Sequence, residues 1–335
     1  MSVVIAARNE EENIGRCIEA LLQQDYPKKQ MEIIVVDDQS TDRTNDIISG
    51  YAAAGVRLIQ IGADDQVFGK KAALTKGIAA SKGELIIVTD ADCVMEKKWI
   101  STIAAFYEDK ESVFIASPVQ YFQPTTFLDL FQSLDFISLQ GITAAGVHAG
   151  MLNMCNGANL AYTKSAFEAV GGFEGIDHLP TGDDMLLMEK MSSAFPGKVH
   201  YCLSEEVIVK TAPAIDVREF IHQRIRWASK STVYTSSFMK GTLLLVYLMN
   251  ASFVGVMIWA LFQPQFIFVF LIIWLIKTAI EIRFMWYVAR FYKSTKLIWW
   301  FPWMQPIHAL YTVVAGSFGW VGKYDWKKRK VKREK

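Results

Sequence analysis

Apolar and polar positions alternate in blocks along about the first ninety residues of the chain. Short continuous runs of Val, Ile and Leu are typical of parallel strands covered on both faces, whereas apolar residues three and four positions apart indicate helices. The pattern predicts four strands, at Ser2–Ala7, Glu32–Val36, Val56–Ile61 and Glu84–Thr89. Helices are expected between them, at residues 14–22, around residues 47–48 and at residues 72–80. This alternation predicts an α/β fold with a parallel, doubly wound sheet.

The pattern changes beyond residue 95. It predicts a helix, a strand, a long helix and another strand, at Trp99–Tyr107, Val113–Val119, Phe127–Met151 and Leu160–Thr163. Arg218–Trp227 is then a basic amphipathic helix, which is typical of an anchor lying in a membrane interface.

Two acids, Asp90 and Asp92, directly follow the predicted strand Glu84–Thr89. In an open α/β sheet the ligand crevice lies outside the carboxyl ends of the strands. Two carboxylates there can hold a hard divalent ion whose other ligands come from a diphosphate and water, although a solvated turn is the alternative. No Gly-x-Gly-x-x-Gly follows any strand, so a metal and a lysine would have to neutralise the phosphate.

Other strand and helix ends are also polar. Asp37 and Asp38 follow the second predicted strand. Asn9 or a neighbour is expected to cap the first helix, with Glu10–Glu12 in its first turn. Asp183 and Asp184 lie where a loop becomes a helix, so helix capping alone would explain at least one of them.

Two later stretches are long and apolar enough to cross a bilayer. Thr242–Phe262 has no charged residue over 21 positions. Phe266–Ala289 is interrupted by three charges, of which Lys277 and Glu281 can pair on a helix and Arg283 can reach the interface. A third apolar stretch, residues 297–321, contains Pro302 and Pro306 and is predicted to be either a kinked span or a re-entrant hairpin.

Composition narrows the class of partner. The net charge of +1 over 335 residues gives no case for nucleic acid as a partner. The five histidines have no metal-ligand spacing. The four cysteines contain no Cys-x-x-Cys pair and predict reduced thiols in a cytosolic compartment.

Several short motifs occur in a fixed order over residues 1–230. They are Ala7-Arg8-Asn9-Glu10, Asp37-Asp38-x-Ser-x-Asp-x-Thr, Gly69-Lys70, Asp90-x-Asp92, Asn156-Gly157-Ala158-Asn159, Gly171-Gly172-Phe173, Gly182-Asp183-Asp184 and Gln223-Arg224-Ile225-Arg226-Trp227. In this order they resemble the motifs of family-2 inverting glycosyltransferases with the GT-A fold. The last motif is similar to the Gln-x-x-Arg-Trp signature of membrane-embedded polysaccharide synthases.

The resemblance implies a role for each matching residue. Asp92, with Asp90, would hold Mg²⁺ or Mn²⁺, and Asp184 would be the general base with Asp183 as its supporting neighbour. The residues implied to bind the nucleotide-sugar are Ala7, Arg8, Glu10, Asp37, Asp38, Lys70, Asp90, Gln223, Arg226 and Trp227. Those implied to face the acceptor are Asn156, Gly157, Ala158 and Asn159.

The expected function is a membrane-anchored inverting glycosyltransferase. It would move a sugar from a UDP- or GDP-linked donor to a hydroxyl of a polysaccharide or a lipid-linked saccharide. A non-catalytic sugar-nucleotide-binding scaffold and a nucleotidyltransferase are the alternatives; the intact acids disfavour the first, and the absent glycine-rich loop disfavours the second.

The expected domain order is a GT-A domain at residues 1–230, with an interfacial helix at 216–230, then a transmembrane region at 240–322. A basic tail follows at 323–335. Because basic residues favour the cytoplasmic side, we predict two crossings and a cytoplasmic tail and catalytic domain, at a bacterial inner membrane. The lipid bilayer is therefore an expected partner.

Overall fold

The structure is a computed structural model that describes residues 1–62, 69–177, 179, 182–230, 233–234 and 236–319, and the backbone of residues 320–321, 323–326 and 329–332. The chain divides into a first unit, Met1–Phe122 with Gln140–Ala212, and a second unit, Gln123–Leu139 with Pro213–Lys335. The sequence predicted a boundary at residue 230, whereas residues 213–230 lie in the second unit. The charged side chains of the predicted tail lie outside the described residues.

The described residues of the first unit form ten strands. They are β1 (Ser2–Ala7), β2 (Glu32–Asp37), β3 (Val56–Gln60), β4 (Leu85–Asp90), β5 (Val94–Met95), β6 (Phe114–Ala116), β7 (Val119–Tyr121), β8 (Leu160–Thr163), β9 (Val199–Tyr201) and β10 (Val209–Thr211). The helices up to residue 194 are α1 (Ile14–Leu22), α2 (Thr44–Gly50), α3 (Lys70–Ala80), α4 (Trp99–Lys110), α5 (Phe127–His148), α6 (Lys164–Ala169) and α7 (Met185–Ala194). Helix α5 has its residues up to Leu139 in the second unit.

The main sheet has seven strands in the order β3-β2-β1-β4-β8-β6-β9. The four strands from β3 to β4 are parallel, as the sequence predicted. Strand β8 is antiparallel to both β4 and β6, so the sheet is mixed beyond its parallel half. A smaller sheet has the order β5-β10-β7.

The single strand predicted at Val113–Val119 was wrong. Residues 114–116 form β6 in the main sheet, and residues 119–121 form β7 in the small sheet. Pro118 lies between them, and it has no backbone N–H with which to continue a ladder.

The predicted cap of the first helix was also wrong. Helix α1 begins at Ile14, after Asn13, and has no acid in its first turn. The side-chain oxygen of Asn9 instead accepts a hydrogen bond from the backbone N–H of Thr41 at 2.9 Å. Asn9 therefore joins the loop after β1 to the loop after β2.

Helix α3 packs closely against the parallel strands. Its Leu74 and Ile78 belong to the same buried cluster as Val4 of β1 and Ile86 of β4. A Cβ atom added at Gly77 would lie 2.5 Å from a methyl carbon of Val4. The absence of a side chain at this position therefore sets how near α3 lies to the sheet.

In the part of the second unit that the structure describes, the start of α5 is followed by four α-helices and an antiparallel pair of strands. They are α8 (Val217–Ser229), α9 (Ser237–Phe262), α10 (Ile267–Phe291), α11 (Phe301–Val321), β11 (Lys323–Trp326) and β12 (Arg329–Lys332). Within the described part of the chain, two helical segments are long and apolar enough to cross a membrane by length and composition, Ser237–Phe262 and Pro264–Phe291.

Two expectations for the apolar region can be compared with these helices. Lys277 and Glu281 pair at 2.6 Å on α10, which confirms the predicted contact. Of the two alternatives for residues 297–321, the re-entrant hairpin was wrong, because α11 is one continuous helix over Phe301–Val321 with Pro306 in its interior.

Replacing Gly77 by Ala should lower the free energy of unfolding by about 1–2 kcal/mol. The added methyl group overpacks the contact with Val4, whose β-branched side chain cannot easily rotate away, and this cost exceeds the gain in helix propensity. Thermal unfolding of the full-length protein measures the change. The matched control is Gly50→Ala in α2, where an added Cβ meets nothing within 4 Å; equal effects of both substitutions would contradict the tight packing at Gly77.

Candidate active site

The ends of three parallel strands bring the predicted site residues to one edge of the main sheet. In the ladder register Ala7 of β1 is opposite Asp37 of β2, and Ala6 is opposite Asp90 of β4. The loops that follow these strands carry the other predicted residues of the first half. These polar groups are far apart in the sequence, and they come together because the strands that carry them are neighbours in the sheet.

Asp38 connects the end of β2 to the beginning of α3. Its Oδ1 accepts a hydrogen bond from the backbone N–H of Gly69 at 2.9 Å. Arg8 donates to the backbone oxygens of Asp38 and Gln39. Asp38 is buried, and this contact positions the residue that follows Gly69.

That residue, Lys70, lies between two carboxylates. Its Nζ is 2.7 Å from Oδ1 of Asp90 and 2.9 Å from Oδ2 of Asp183. Burial alone would lower the pKa of Lys70, but Asp183 and Asp90 outweigh it and raise the pKa well above that of a free lysine. Lys70 is therefore a permanent cation at the centre of the site.

Gly157 lies directly against this ion pair. A Cβ added at Gly157 would be 3.1 Å from Nζ of Lys70 and 3.3 Å from Oδ2 of Asp183. The predicted acceptor-side turn thus lies close to the ion pair, and a side chain at Gly157 would require the Lys70 ammonium and the Asp183 carboxylate to shift by a few tenths of an ångström.

Asp184 occupies the cap position of α7, so helix capping does explain one of the two neighbouring acids. Its Oδ1 accepts a hydrogen bond from the backbone N–H of Met185 at 2.7 Å. Its side chain is buried, whereas that of Asp183 is half-buried and faces Lys70. The two neighbouring acids thus have different environments.

Asp92 lies in a strongly negative environment. Its Oδ2 accepts a hydrogen bond from the Thr211 hydroxyl at 3.2 Å, and its Oδ1 accepts one from the Cys93 thiol at 3.4 Å. Burial raises the pKa of Asp92, and the charges of Asp90 and Glu10 raise it further. Nearby carboxylates that disfavour one another's charge are suited to a bound cation.

The described residues contain no group of three or more His, Cys, Asp or Glu side chains that could hold a metal ion. Asp90 and Asp92 are nevertheless two hard oxygen donors at a negative site. They fit a divalent ion that takes its remaining ligands from a bound substrate and water.

The four residues of the predicted acceptor side divide into two groups. Asn156 and Gly157 are in the turn, and the Asn156 side chain accepts a hydrogen bond from the backbone N–H of Ala158 at 3.0 Å. Ala158 is buried, and its carbonyl accepts from Thr89 at 2.8 Å. The backbone of this turn is thus bonded to the end of β4.

Asn159 was expected to face the acceptor, but the structure buries its side chain. Its side chain is fully buried, and its Oδ1 accepts from the Trp99 indole at 3.0 Å. Its Nδ2 donates to the carbonyls of Pro118 and Val207 at 2.8 and 2.7 Å. The side chain of Asn159 therefore holds the loops behind the turn.

The last predicted motif lies on α8 in the second unit. Gln223 accepts a hydrogen bond from Arg224 at 2.8 Å, and the Arg224 guanidinium lies 4.2 Å from the centre of the Trp227 ring. Arg224 itself is paired with Asp135 of α5, at 2.6 Å. Gln223 and Trp227 thus contact a buried arginine between them. Arg226 is half-buried on the same helix.

The sequence analysis did not identify three residues that matter for this geometry: Thr211, Lys71 and Asp135. Thr211 contacts Asp92 from the far end of the first unit. Lys71 donates to the carbonyls of Ile176 and Leu179, which lie in the loop leading to Asp183. No spacing signal identifies such residues, because each partner is distant along the chain.

The chain and its fold have known relatives. A model of the family described as Glycosyl transferase family 2 matches residues 2–171, just over half of the 335 residues. The probable glycosyltransferase YdaM of Bacillus subtilis is 30% identical over 179 residues, which cover 52% of this chain and 43% of YdaM. The glycosyltransferase AglE of Haloferax volcanii is 30% identical over 200 residues, which cover 58% of this chain and 62% of AglE. The chain thus spans less than two thirds of either relative.

Two solved structures share the fold at 17% identity. Residues 1–349 of TarS from S. aureus match with a TM-score of 0.50, covering 98% of this chain and 95% of that chain. The mannosyltransferase PcManGT from Pyrobaculum calidifontis, in complex with GDP-Man and Mn²⁺, matches with a TM-score of 0.56, covering 94% and 86%. The first unit accordingly has a GT-A-like α/β fold.

Replacing Lys70 by Met should lower the free energy of unfolding by about 1–3 kcal/mol, because it leaves Asp90 and Asp183 facing each other without a cation. Thermal unfolding should show this as a midpoint lower by several degrees. Lys198→Met is the matched control, since Lys198 pairs with Glu111 at 3.0 Å but both side chains are exposed. Such exposed pairs contribute about 0–1 kcal/mol. Equal losses in the two variants would contradict a central role for Lys70 in the site.

Proposed function

The chain belongs to glycosyl transferase family 2, and from this premise we propose that it transfers a sugar from a nucleotide-diphosphate donor to a hydroxyl group with inversion at the sugar carbon. The observation that carries the proposal is the Lys70 ammonium held between Asp90 and Asp183, beside Asp92. Such a site combines a cation for a phosphate with carboxylates for a metal and for a proton.

The nucleotide would bind at the ends of β1 and β2. Ala7 and Arg8 would line this part of the site, together with Glu10. Asp37 or Asp38 would accept hydrogen bonds from the base. Both carboxylates are buried and already accept a hydrogen bond from a backbone N–H, Asp38 from Gly69 at 2.9 Å and Asp37 from Ser40 at 3.3 Å.

The leaving group is a diphosphate whose negative charge increases as the bond to the sugar breaks. Lys70 would contact it, since a cation beside developing charge stabilises the transition state. Asp92 and Asp90 would hold Mg²⁺ or Mn²⁺, which supplies a Lewis acid for the leaving oxygen when bound. The two carboxylates would also orient the donor from the side opposite the acceptor.

Asp184 is proposed as the general base that removes the proton of the acceptor hydroxyl. Its cap position at α7 holds its carboxylate at the start of a helix with a buried apolar face. Asp183 would keep Lys70 in place beside it, which supports separate roles for the two acids. Asn156 and Gly157 would face the acceptor.

Membrane anchoring is the second part of the proposal. Both long apolar helices, α9 and α10, present large apolar side chains outward, among them Leu245, Trp259 and Ile280. Exposed apolar surface of this extent is suited to lipid and not to water. The acceptor would be a polysaccharide or a lipid-linked saccharide, and Gln223, Arg226 and Trp227 would act on the substrate from α8 at the bilayer surface.

Release of nucleoside diphosphate should require a divalent ion and Asp92. A screen of UDP- and GDP-linked sugars with the full-length protein in detergent, with Mg²⁺, Mn²⁺ or EDTA, measures this. Asp92→Ala should abolish release with every donor, whereas Asp109→Ala, an exposed acid on α4, should leave it unchanged. Full turnover of the Asp92 variant in EDTA would contradict the proposed metal site.

Asp184→Asn should reduce kcat by about 10²–10⁴ and leave donor affinity nearly unchanged, because proton abstraction contributes on this order. The amide keeps the size of the side chain and an oxygen for the cap at Met185. Asp183→Asn should weaken donor binding more than kcat, since it loosens Lys70. Steady-state kinetics of both variants separates these effects; the reverse pattern would make Asp183 the base.

A further inference from the structure

Residues 290–303, here called the basic–aromatic segment, comprise the end of α10, the connection to α11 and the start of α11. The chain turns tightly there: the Ser294 N–H donates to the Ala289 carbonyl at 2.7 Å, and Lys293 has a φ of 51°. Tyr292 and Ile298 are buried within the second unit. The segment thus has a packed inner face and presents its other side chains outward.

Three tryptophans stand on the outer face of this segment. Trp299 is 84% exposed, Trp303 65% and Trp300 45%. Trp303 also packs against Trp274 of α10, whose indole N–H donates to the Pro302 carbonyl at 2.9 Å. Tryptophans with one packed side and one open side are typical of the boundary between bilayer and water, where the ring lies at headgroup level.

The same segment is basic. Arg290, Lys293 and Lys296 are exposed. The sequence has no acidic residue between Glu281 and Asp325, so the formal charges of residues 282–324 are all positive. A lipid phosphate is the anion that a membrane would supply at this depth.

The other end of α10 is different. The turn that joins α9 to α10, residues 263–266, has the sequence Gln-Pro-Gln-Phe and carries no charge. If α9 and α10 cross the bilayer, one end of this helix pair is neutral and the other is basic and rich in tryptophan. The charge asymmetry selects the leaflet that contains anionic lipid.

We propose that the basic–aromatic segment is a binding surface for anionic phospholipid. Trp299, Trp300 and Trp303 lie among the headgroups, and the cations bind their phosphates. This inference rests on the proposed membrane association and extends it by naming the lipid class and the residues that select it.

The test is lipid retention by the full-length protein. The protein in neutral detergent is equilibrated with equal amounts of phosphatidylglycerol and phosphatidylcholine, and bound lipid is counted by native mass spectrometry. Each cation near an anionic lipid surface contributes a factor of about five. Two cations acting on one lipid would already exceed tenfold, so we expect phosphatidylglycerol to be preferred at least about tenfold, and less so at high salt.

The triple variant Arg290→Gln/Lys293→Gln/Lys296→Gln should lose most of this preference. Its matched control is Lys28→Gln/Lys29→Gln/Lys97→Gln, which removes the same charge from exposed positions of the first unit. Lys293→Arg/Lys296→Arg keeps the charge and should keep the preference. Monodisperse elution and an unchanged circular dichroism spectrum show that each variant is folded.

Three results would overturn the inference. The first is equal retention of both lipids by the wild-type protein. The second is a preference that survives in the triple variant, and the third is an equal loss in the control. A protein that stays monodisperse without detergent and retains neither lipid would instead contradict the proposed membrane association, and this inference with it.

Discussion

The ion pairs of Lys70 with Asp90 and Asp183 are the interaction on which the candidate site depends. The three side chains come from the start of α3, the end of β4 and the loop before α7. Asp90 and Asp183 both lie within 3 Å of the Lys70 Nζ, and their carboxylates would repel each other if this cation were removed. The same arrangement gives the site its chemistry, because it places a permanent positive charge beside the acids that a nucleotide-diphosphate donor and its metal ion would need.

The surrounding structure restricts how Lys70 can lie. Asp38 accepts from Gly69, so the end of β2 positions the first residue of α3. On the opposite side, Gly157 approaches Nζ so closely that a side chain would displace it. Asn159 then holds the loops behind this turn through three buried hydrogen bonds. A buried amide without partners would be costly, so its bonding strongly constrains these loops.

The second unit uses its polar residues differently. Asp135 and Arg224 are almost completely buried, and Tyr311 donates to the second oxygen of the Asp135 carboxylate. A buried pair is weak evidence for stability, but removing one partner leaves an uncompensated charge. Helices α5, α8 and α11 are thus joined at one carboxylate, and Gln223 and Trp227 both lie against the arginine that completes it. Helices α9 and α10, by contrast, expose many large apolar side chains, among them Leu245, Trp259 and Ile280.

The sequence by itself determined the parallel half of the sheet and the acids at its edge. Continuous apolar runs predict buried strands, and parallel strands bring their carboxyl ends to one side. It also determined the long apolar helices and the pairing of Lys277 with Glu281, since both follow from local spacing. Only the tertiary structure decided that Lys70 joins Asp90 to Asp183, that Asn159 is structural and that Thr211 reaches Asp92. Those contacts join residues that are far apart in the chain, so local sequence patterns do not encode them. Strands of three residues, such as β9 and β10, are too short to show an alternation of apolar and polar positions, and long-range packing decides where they form.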